Sequence, residues 1–299
     1  MSGIQKILAA TDFSEAAGNA VERAAMLASQ TGAGVVVTNV ISRGMLNALH
    51  DLMSPDASDE LEDALVKESL DRLHELEQDM TARHRVSVQT SVSAGSVLKE
   101  IDSYANGTGA DLLVLGAHGG GFVRDMLLGS TTERVLRKTT LPMLVVRRAP
   151  SAPYRRVLVP VDFSERSQAA IALARSVAPD AELILVHAFE VPYEGKLRQA
   201  GVEESRVNAL REAARQEALK GLEGLIADSG LPTASVRHVL VYGQPASAIL
   251  EQAKTHGCDL IAMGKQGLRM IEELVLGSVT RQVVEHSHCD VLVADRSKR

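Results

Sequence analysis

Asp111-Leu-Leu-Val-Leu-Gly-Ala-His-Gly119 joins an apolar run to a glycine loop, and Gly129-Ser130 follows after nine further residues. The same arrangement returns in Asp259-Leu-Ile-Ala-Met-Gly-Lys-Gln-Gly267, which Gly277-Ser278 follows at the same spacing. Each apolar run predicts a buried strand, and each Gly-Ser pair precedes a pattern typical of a helix. Because glycine lets a backbone approach a ligand closely and a helix N-terminus favours an anion, both stretches indicate a phosphate site.

The two stretches belong to a repeat that spans nearly half of the chain. Lys6-Ile-Leu-Ala-Ala-Thr-Asp-Phe-Ser14 returns as Arg156-Val-Leu-Val-Pro-Val-Asp-Phe-Ser164, and each copy precedes its own glycine loop. A short segment with two prolines, residues 148–154, separates the copies and predicts a linker. We therefore expect one domain over 1–149 and a second over 155–299.

Within each copy, short apolar runs alternate with helical patterns. Because these runs lack polar alternation and are separated by helices, they predict a parallel sheet that is covered on both faces. Each copy is thus expected to be a five-stranded, doubly wound α/β domain that binds ligands beyond the carboxyl ends of its strands. The predicted strands are 4–10, 34–41, 86–92, 111–116 and 142–147 in the first copy, and 156–161, 181–188, 234–241, 258–264 and 289–294 in the second.

Composition and charge exclude several classes of partner. The chain is 45% hydrophobic and 23% charged, as is ordinary for a globular protein. Its net charge of −6, without a long basic run, disfavours nucleic acid. No apolar run reaches the ~18 residues that a membrane helix needs, and the N-terminal sequence lacks the pattern of a secretory signal. Since Cys258 and Cys289 are too few for a disulfide framework, we expect a cytoplasmic protein that binds neither nucleic acid nor membranes.

These residues resemble the universal stress protein family in its tandem form, with two domains in one chain. The nucleotide-binding branch of that family carries Gly-x2-Gly-x9-Gly-(Ser/Thr), and both loops fit this pattern. Its first strand commonly ends in Pro-(Thr/Val)-Asp-Phe-Ser, where this chain has Ala10-Thr-Asp-Phe-Ser14 and Pro160-Val-Asp-Phe-Ser164. The resemblance implies an adenine nucleotide alpha hydrolase-like sheet with strand order 3-2-1-4-5. It also implies that the fifth strands, at 143–146 and 291–294, pair the halves into an internal pseudo-dimer; a further homodimer stays open.

The resemblance also implies two nucleotide sites. In the family, the first-strand aspartate and a residue at the end of the second strand contact the adenosine part of ATP, whereas the glycine loop and the following serine hold the ribose and phosphates. The first site then comprises Thr11, Asp12, Val40, Gly116, Gly119, Gly129, Ser130 and Thr131. The second comprises Val161, Asp162, Ala188, Gly264, Gly267, Gly277, Ser278 and Val279. The cofactor would be ATP or another adenine nucleotide, and a requirement for Mg2+ stays open.

Several of these residues also have a plainer explanation. The glycines could serve turns alone, although their repetition favours phosphate binding. An aspartate just before a helix is a good N-cap, but the serine two residues later could cap the helix and leave Asp12 or Asp162 for a ligand. We favour the ligand role. His118, inside the first loop, either hydrogen-bonds a phosphate or simply faces solvent.

The two copies differ in ways that bear on phosphate binding. Ser130-Thr-Thr-Glu133 fits a capping box, in which Ser130 caps the helix and Glu133 bonds back to the cap, whereas the second copy carries Arg281 instead of the acid. Lys265 gives the second loop a cation for a phosphate. Electrostatics therefore favours the second site, while Ala188, smaller than Val40, would loosen its adenine pocket.

The sequence favours a nucleotide-binding regulatory or stress-response protein over a dedicated enzyme. It contains no Gly-x4-Gly-Lys-(Ser/Thr) P-loop, and no Gly-x-Gly-x-x-Gly follows the first strand. The adenylate-transferring signatures Ser-Gly-Gly-x-Asp-Ser and His-Ile-Gly-His are also absent. Slow ATP hydrolysis, with Ser130 or Ser278 as a metal ligand, stays open, as does an interaction module with one vestigial site. The sequence does not identify a regulatory protein partner.

One further motif, His286-x-His288-Cys289, has the residue types of a metal site. Two histidines two residues apart do not share a helix face, and Cys289 begins an apolar strand. Without a full set of ligands, we prefer a structural role for these residues.

Overall fold

The computed structural model describes residues 3–51, 55–119, 128–231, 236–267 and 276–295. The chain divides between Pro153 and Tyr154 into two compact units. Among the described helices, none combines the length and apolar character needed to cross a membrane.

Strands and helices alternate in both units, as the repeat predicts. The first unit comprises β1 (Lys6–Thr11), α1 (Glu15–Thr31), β2 (Gly34–Ser42), α2 (Arg43–His50), α3 (Pro55–His84), β3 (Val88–Gly95), α4 (Val97–Thr108), β4 (Leu112–Gly116), α5 (Ser130–Lys138) and β5 (Met143–Val146). The second comprises β6 (Arg156–Pro160), α6 (Glu165–Val177), β7 (Glu182–Phe189), α7 (Glu194–Gln199), α8 (Glu204–Asp228), β8 (Arg237–Tyr242), α9 (Pro245–Thr255), β9 (Leu260–Gly264), α10 (Ser278–His286) and β10 (Asp290–Ala294). The predicted strands agree with these bounds to within a few residues, and 234–235 lie outside the described residues.

The strands of each unit form a parallel sheet in the order 3-2-1-4-5. The first sheet runs β3-β2-β1-β4-β5, and the second runs β8-β7-β6-β9-β10. The predicted doubly wound α/β fold is therefore confirmed for each unit. Since the first and fourth strands are neighbours, their carboxyl ends meet at one crevice above the sheet. The pairing of the two fifth strands with each other stays a prediction.

Aliphatic side chains fill the core on both faces of each sheet. The residues of β4 and β5 are buried throughout, which explains why these strands show no polar alternation. Fully buried examples include Ile7, Leu8, Leu113, Leu144, Leu158, Ile184, Leu260 and Leu292. The strand ends that carry the motif residues are thus anchored in a packed interior.

Candidate functional site

The motif glycines and the aspartates converge at the carboxyl ends of neighbouring strands. β4 ends at Gly116 beside β1, and β9 ends at Gly264 beside β6. Asp12 directly follows β1. Asp162 follows β6 after one intervening residue, Val161. Each unit therefore brings its predicted aspartate and glycine loop to one place, as the strand order requires.

Each aspartate lies against the second glycine of its motif. A Cβ built on Gly119 would lie 2.7 Å from Oδ2 of Asp12, and one built on Gly267 would lie 3.2 Å from Oδ2 of Asp162. Any larger residue at these positions would push on the carboxylate. Crowding by the aspartate thus favours glycine here, more strongly at Gly119 than at Gly267, whether or not a phosphate is bound.

The other glycines of the first motif also meet protein atoms. A Cβ on Gly116 would lie 2.6 Å from the backbone oxygen of Ala16 in α1, and one on Gly129 would lie 3.2 Å from that of Ala117. In the second motif, a Cβ on Gly264 would lie 3.1 Å from Cβ of Arg166 in α6, and one on Gly277 would lie 3.3 Å from the backbone oxygen of Lys265. Close approach of strand, loop and helix explains these positions before any ligand is considered.

Helices α5 and α10 begin without a side-chain cap. Their N-cap residues are Gly129 and Gly277, in extended conformation, and neither cap position provides a side-chain hydrogen bond. The capping box expected at 130–133 is therefore wrong, because Gly129 takes the cap position and Ser130 is already helical. Glu133 instead forms an ion pair with Arg137, in which Oε1 of Glu133 lies 3.8 Å from Nε of Arg137. First-turn N–H groups without a side-chain acceptor favour an anion at this helix end.

A threonine ties each of these helices to the strand before it. Oγ1 of Thr132 donates to the carbonyl oxygen of Gly116 at 2.8 Å, and Oγ1 of Thr280 donates to that of Gly264 at 2.9 Å. Our sequence reasoning missed this pair, although both copies place a threonine two residues after the motif serine. The bond fixes the start of the helix relative to the end of the strand.

The serines cap α1 and α6, as we expected. Oγ of Ser14 and of Ser164 accepts a first-turn backbone N–H at 3.2 and 3.4 Å. The aspartates instead stabilise the turn before each helix. Oδ1 of Asp12 accepts from the N–H of Ser14 at 3.0 Å, and Oδ1 of Asp162 accepts from the N–H of Ser164 at 3.1 Å. The phenylalanine between them adopts a left-handed φ, 61° for Phe13 and 65° for Phe163, which is a strained conformation for a residue other than glycine.

Asp162 is held by two hydroxyls in addition. Oδ1 of Asp162 accepts from Oγ of Ser164 at 2.5 Å and from Oγ of Ser167 at 2.7 Å, while the Asp162 N–H donates to Oγ of Ser167 at 2.9 Å. The first unit has Ala17 where the second has Ser167, so this network belongs to the second unit. It fixes the carboxylate before any ligand arrives.

In the second unit these elements line a cavity of about 750 Å3. Such a volume lies within the range of small-molecule sites, roughly 300–1,000 Å3. Apolar residues of β7 and α9, among them Val186 and Ile249, form part of the lining, and the glycine loop and the start of α10 form another part. The predicted site residues in the lining are Val161, Asp162, Ala188, Gly264, Gly267, Gly277, Ser278 and Val279.

Lys265 is the predicted second-site residue that does not line this cavity. Its side chain is 3% exposed, and its Nζ donates to Oδ2 of Asp295 at 3.1 Å. Lys265 therefore does not support the expectation that electrostatics favours phosphate binding at the second site over the first. The cavity instead contains Arg166, from the first turn of α6, which our sequence reasoning missed.

Comparison with known proteins adds the family. The family model described as "Universal stress protein family" matches residues 3–147 and again 153–295. The chain belongs to the universal stress protein family. A universal stress protein of Methanocaldococcus jannaschii is 31% identical over 149 residues, which are 49% of this chain and 85% of that one. One of Thermus aquaticus is 34% identical over 142 residues, which are 47% of this chain and 98% of that one.

The tandem arrangement has a counterpart among solved structures. The crystal structure of a universal stress protein from Archaeoglobus fulgidus covers 98% of both chains with a TM-score of 0.71. At 22% identity, this likeness shows the shared fold. Together with the two matches to the family model, it identifies this chain as a tandem universal stress protein.

A histidine lines the cavity of the second unit in this universal stress protein. Nδ1 of His187 donates to the carbonyl oxygen of Val161 at 2.7 Å, and the ring stacks on Phe163 with centroids 4.2 Å apart. Burial lowers the pKa of His187, an effect that the bond to Val161 and the charge of Asp162 oppose. The first unit has Asn39 at this place, whose Nδ2 donates to the Thr11 carbonyl oxygen at 2.8 Å. Our sequence reasoning named the next residue, Ala188, as part of the site and missed His187.

In the first unit, the predicted residues occupy equivalent places. Thr11 is buried, and its Oγ1 accepts from the N–H of Phe13 at 3.0 Å, whereas Ser130 and Thr131 are exposed at the start of α5. Val40 lies in β2, opposite Ser93 of β3. His118 is half-buried rather than solvent-facing, and burial, followed by the positive charge of Arg147, lowers its pKa. Both effects favour the uncharged form of its imidazole.

Proposed function

We propose that this protein binds an adenine nucleotide, ATP in the first place, in the cavity of its second unit and acts as a nucleotide-responsive regulator or sensor in a stress response. The observation that carries the proposal is the lining of the cavity. It gathers residues from the ends of β6, β7 and β9 and from the start of α10, which the sequence singled out as a nucleotide site.

The polarity of the lining supports one orientation of the nucleotide. The base would lie on the apolar part of the lining, against Val186, Ala188 and Ile249, and the ribose near Asp162. The phosphates would lie at the start of α10, where uncapped N–H groups favour negative charge. In its neutral form with hydrogen on Nδ1, the His187 ring would offer Nε2 as an acceptor.

Mg2+ would bind chiefly to the phosphates, because it retains several waters and few protein ligands in such sites. Ser278 fits as one protein ligand, since its hydroxyl lies in the cavity lining. We further propose a cytoplasmic protein whose action involves neither nucleic acid nor membranes. Pairing through the fifth strands and a regulatory protein partner are parts of the same proposal.

Isothermal titration of the full chain with ATP tests the proposal. We expect saturable binding by the wild type and a weaker affinity for Asp162→Asn, which keeps the shape of the side chain but removes its charge. Asp180→Asn is the matched control, because Asp180 is exposed and precedes β7, at the opposite end of the strands. Absence of binding by the wild type at millimolar ATP, together with no nucleotide released on heating the purified protein, would overturn the proposal.

A further inference from the structure

The second cavity has a cation where the repeat gives the first unit an alanine. Arg166 in the first turn of α6 lines the cavity, and Ala16 takes the corresponding place in α1. The two residues occupy the same position relative to the fourth strand, because each lies against the glycine that ends it, Gly264 or Gly116. The difference between the units is therefore one of side-chain chemistry on an equivalent backbone.

The side chain of Arg166 follows the glycine loop. Its Cβ would lie 3.1 Å from a Cβ on Gly264, and its Nη1 donates to the carbonyl oxygen of Gly267 at 3.4 Å. The guanidinium thus lies beside the glycine loop, which lines the cavity together with the start of α10. Glu190, an acidic residue of the lining, directly follows β7.

Among the described residues, the guanidinium of Arg166 makes one long hydrogen bond, to Gly267. The bond that the described residues give it is longer than the 2.7–3.2 Å of a typical N–H···O bond. An arginine has five N–H donors in a planar fork that matches phosphate oxygens two at a time. An anion in this part of the cavity could replace the weak contact with Gly267 by charge-assisted bonds.

We propose that Arg166 determines the ligand specificity of the second cavity by binding the phosphate chain, so that nucleoside di- and triphosphates bind in preference to nucleosides. The inference rests on the proposed function and deepens it. This contribution to selectivity belongs to the second unit, since Ala16 cannot supply it in the first. The ligand class is an adenine nucleoside polyphosphate with its terminal phosphates beside Gly264 and Gly267.

The test compares ATP with adenosine in titrations of the full chain and its variants. Arg166→Ala reproduces the residue of the first unit, and Arg166→Lys keeps the charge without the planar fork. Arg175→Ala is the matched control, because it removes the same charge from the exposed last turn of α6, about 13 Å further along the helix. Where an isotherm shows two classes of site, each class is fitted with its own affinity. We expect Arg166→Ala to change the affinity of one class.

We expect Arg166→Ala to weaken ATP binding about ten-fold or more and to leave adenosine binding within about two-fold, as loss of a charge-assisted bond implies. Arg166→Lys should recover part of the ATP affinity, and Arg175→Ala should resemble the wild type. Equal losses for ATP and adenosine would assign Arg166 a structural role and overturn the inference, as would unchanged ATP binding. If the wild type binds neither ligand, the proposed function itself fails, which the wild-type titration alone reveals.

Discussion

The carboxylates of Asp12 and Asp162 lie in the space that a side chain on the second motif glycine would need. We therefore expect Gly119→Ala and Gly267→Ala to weaken nucleotide binding by displacing the carboxylate. The loss of stability should be larger at Gly119, where the Cβ would lie 2.7 Å from the carboxylate oxygen rather than 3.2 Å. Because the contacted oxygen ends a flexible side chain, the loss should lie at or below the low end of the about 1–3 kcal/mol that overpacking costs in a core. Urea denaturation and ATP titration of both variants measure the two effects.

A second substitution separates this explanation from others. Asp12→Ala removes the oxygen atom that the new Cβ would meet, so the double variant Asp12→Ala/Gly119→Ala should recover much of the lost stability. If the two losses simply add, the contact is not their cause. The corresponding pair in the second unit, Asp162→Ala with Gly267→Ala, repeats the measurement at a looser contact.

His187 should make the stability of the second unit depend on pH. Burial lowers its pKa in the folded state below the ordinary 6.5, so the unfolded chain binds more protons as the solution is acidified. Its contribution to stability is therefore present above about pH 6.5 and is lost as the pH falls below that value. His187→Asn, which copies Asn39 of the first unit, should flatten this dependence between about pH 7.5 and about pH 5.

Urea denaturation at several pH values measures the effect. His118 also has a lowered pKa, so His118→Asn should flatten the profile as well, and the two substitutions together should flatten it most. A profile that His187→Asn leaves unchanged would show that this ring does not titrate differently in the folded and unfolded states.

At the scale of the helix, the bond from Thr280 to Gly264 holds the start of α10 against the end of β9. Thr280→Val keeps the shape but removes the hydroxyl, and Thr280→Ser keeps the hydroxyl. We expect the valine variant to lose about 1 kcal/mol of stability and to bind ATP more weakly, because the first turn of α10 is no longer fixed. The serine variant should bind ATP nearly as the wild type does. Equal ATP affinity for both variants would contradict this role.

The strands and helices could largely be predicted from the sequence. The contacts of the side chains at the candidate site could be predicted less well. Apolar runs between helical patterns indicated the strands, because burial on both faces suppresses polar alternation. The N-cap of α5 was placed wrongly at Ser130, since the capping-box pattern competes with a glycine that can take the cap position itself. The backbone N–H of Lys265 donates to the carbonyl oxygen of Ala294 and so continues the pairing of β9 with β10. This places the lysine side chain beside Asp295, the next residue, with which it forms an ion pair. Arg166 lies about a hundred residues from the loop it contacts, and no local pattern reveals such a neighbour.

At the scale of the whole molecule, we expect ATP turnover to be slow or absent. Rapid phosphoryl transfer needs a cation clamp, a metal-holding group and a positioned base. The described cavity lining offers Arg166, Ser278 and two carboxylates, but Asp162 is already held by two serine hydroxyls. Phosphate release by the full chain should stay well below about 10 s−1, a typical enzyme value. Sustained turnover near that value would make the protein an enzyme rather than a sensor.

We also expect the two units to bind nucleotide unequally. Arg166, Ser167 and His187 in the second unit stand where the first unit has Ala16, Ala17 and Asn39. ATP titration should therefore give either one site per chain or two sites of different affinity. Two sites of equal affinity would contradict this expectation. Asp12→Asn and Asp162→Asn, measured separately, assign each affinity to its unit.

The contact between aspartate and glycine also bears on how duplicated domains diverge. A Cβ at Gly119 or Gly267 would crowd a neighbouring carboxylate, while the position beside the first motif glycine is alanine in one unit and arginine in the other. After a gene duplication, this crowding would favour glycine in both copies even without a ligand, while the neighbouring position could change to suit a new ligand. A copy that had lost its ligand would keep the signature. Surveys that count nucleotide binders by this motif would then overcount them.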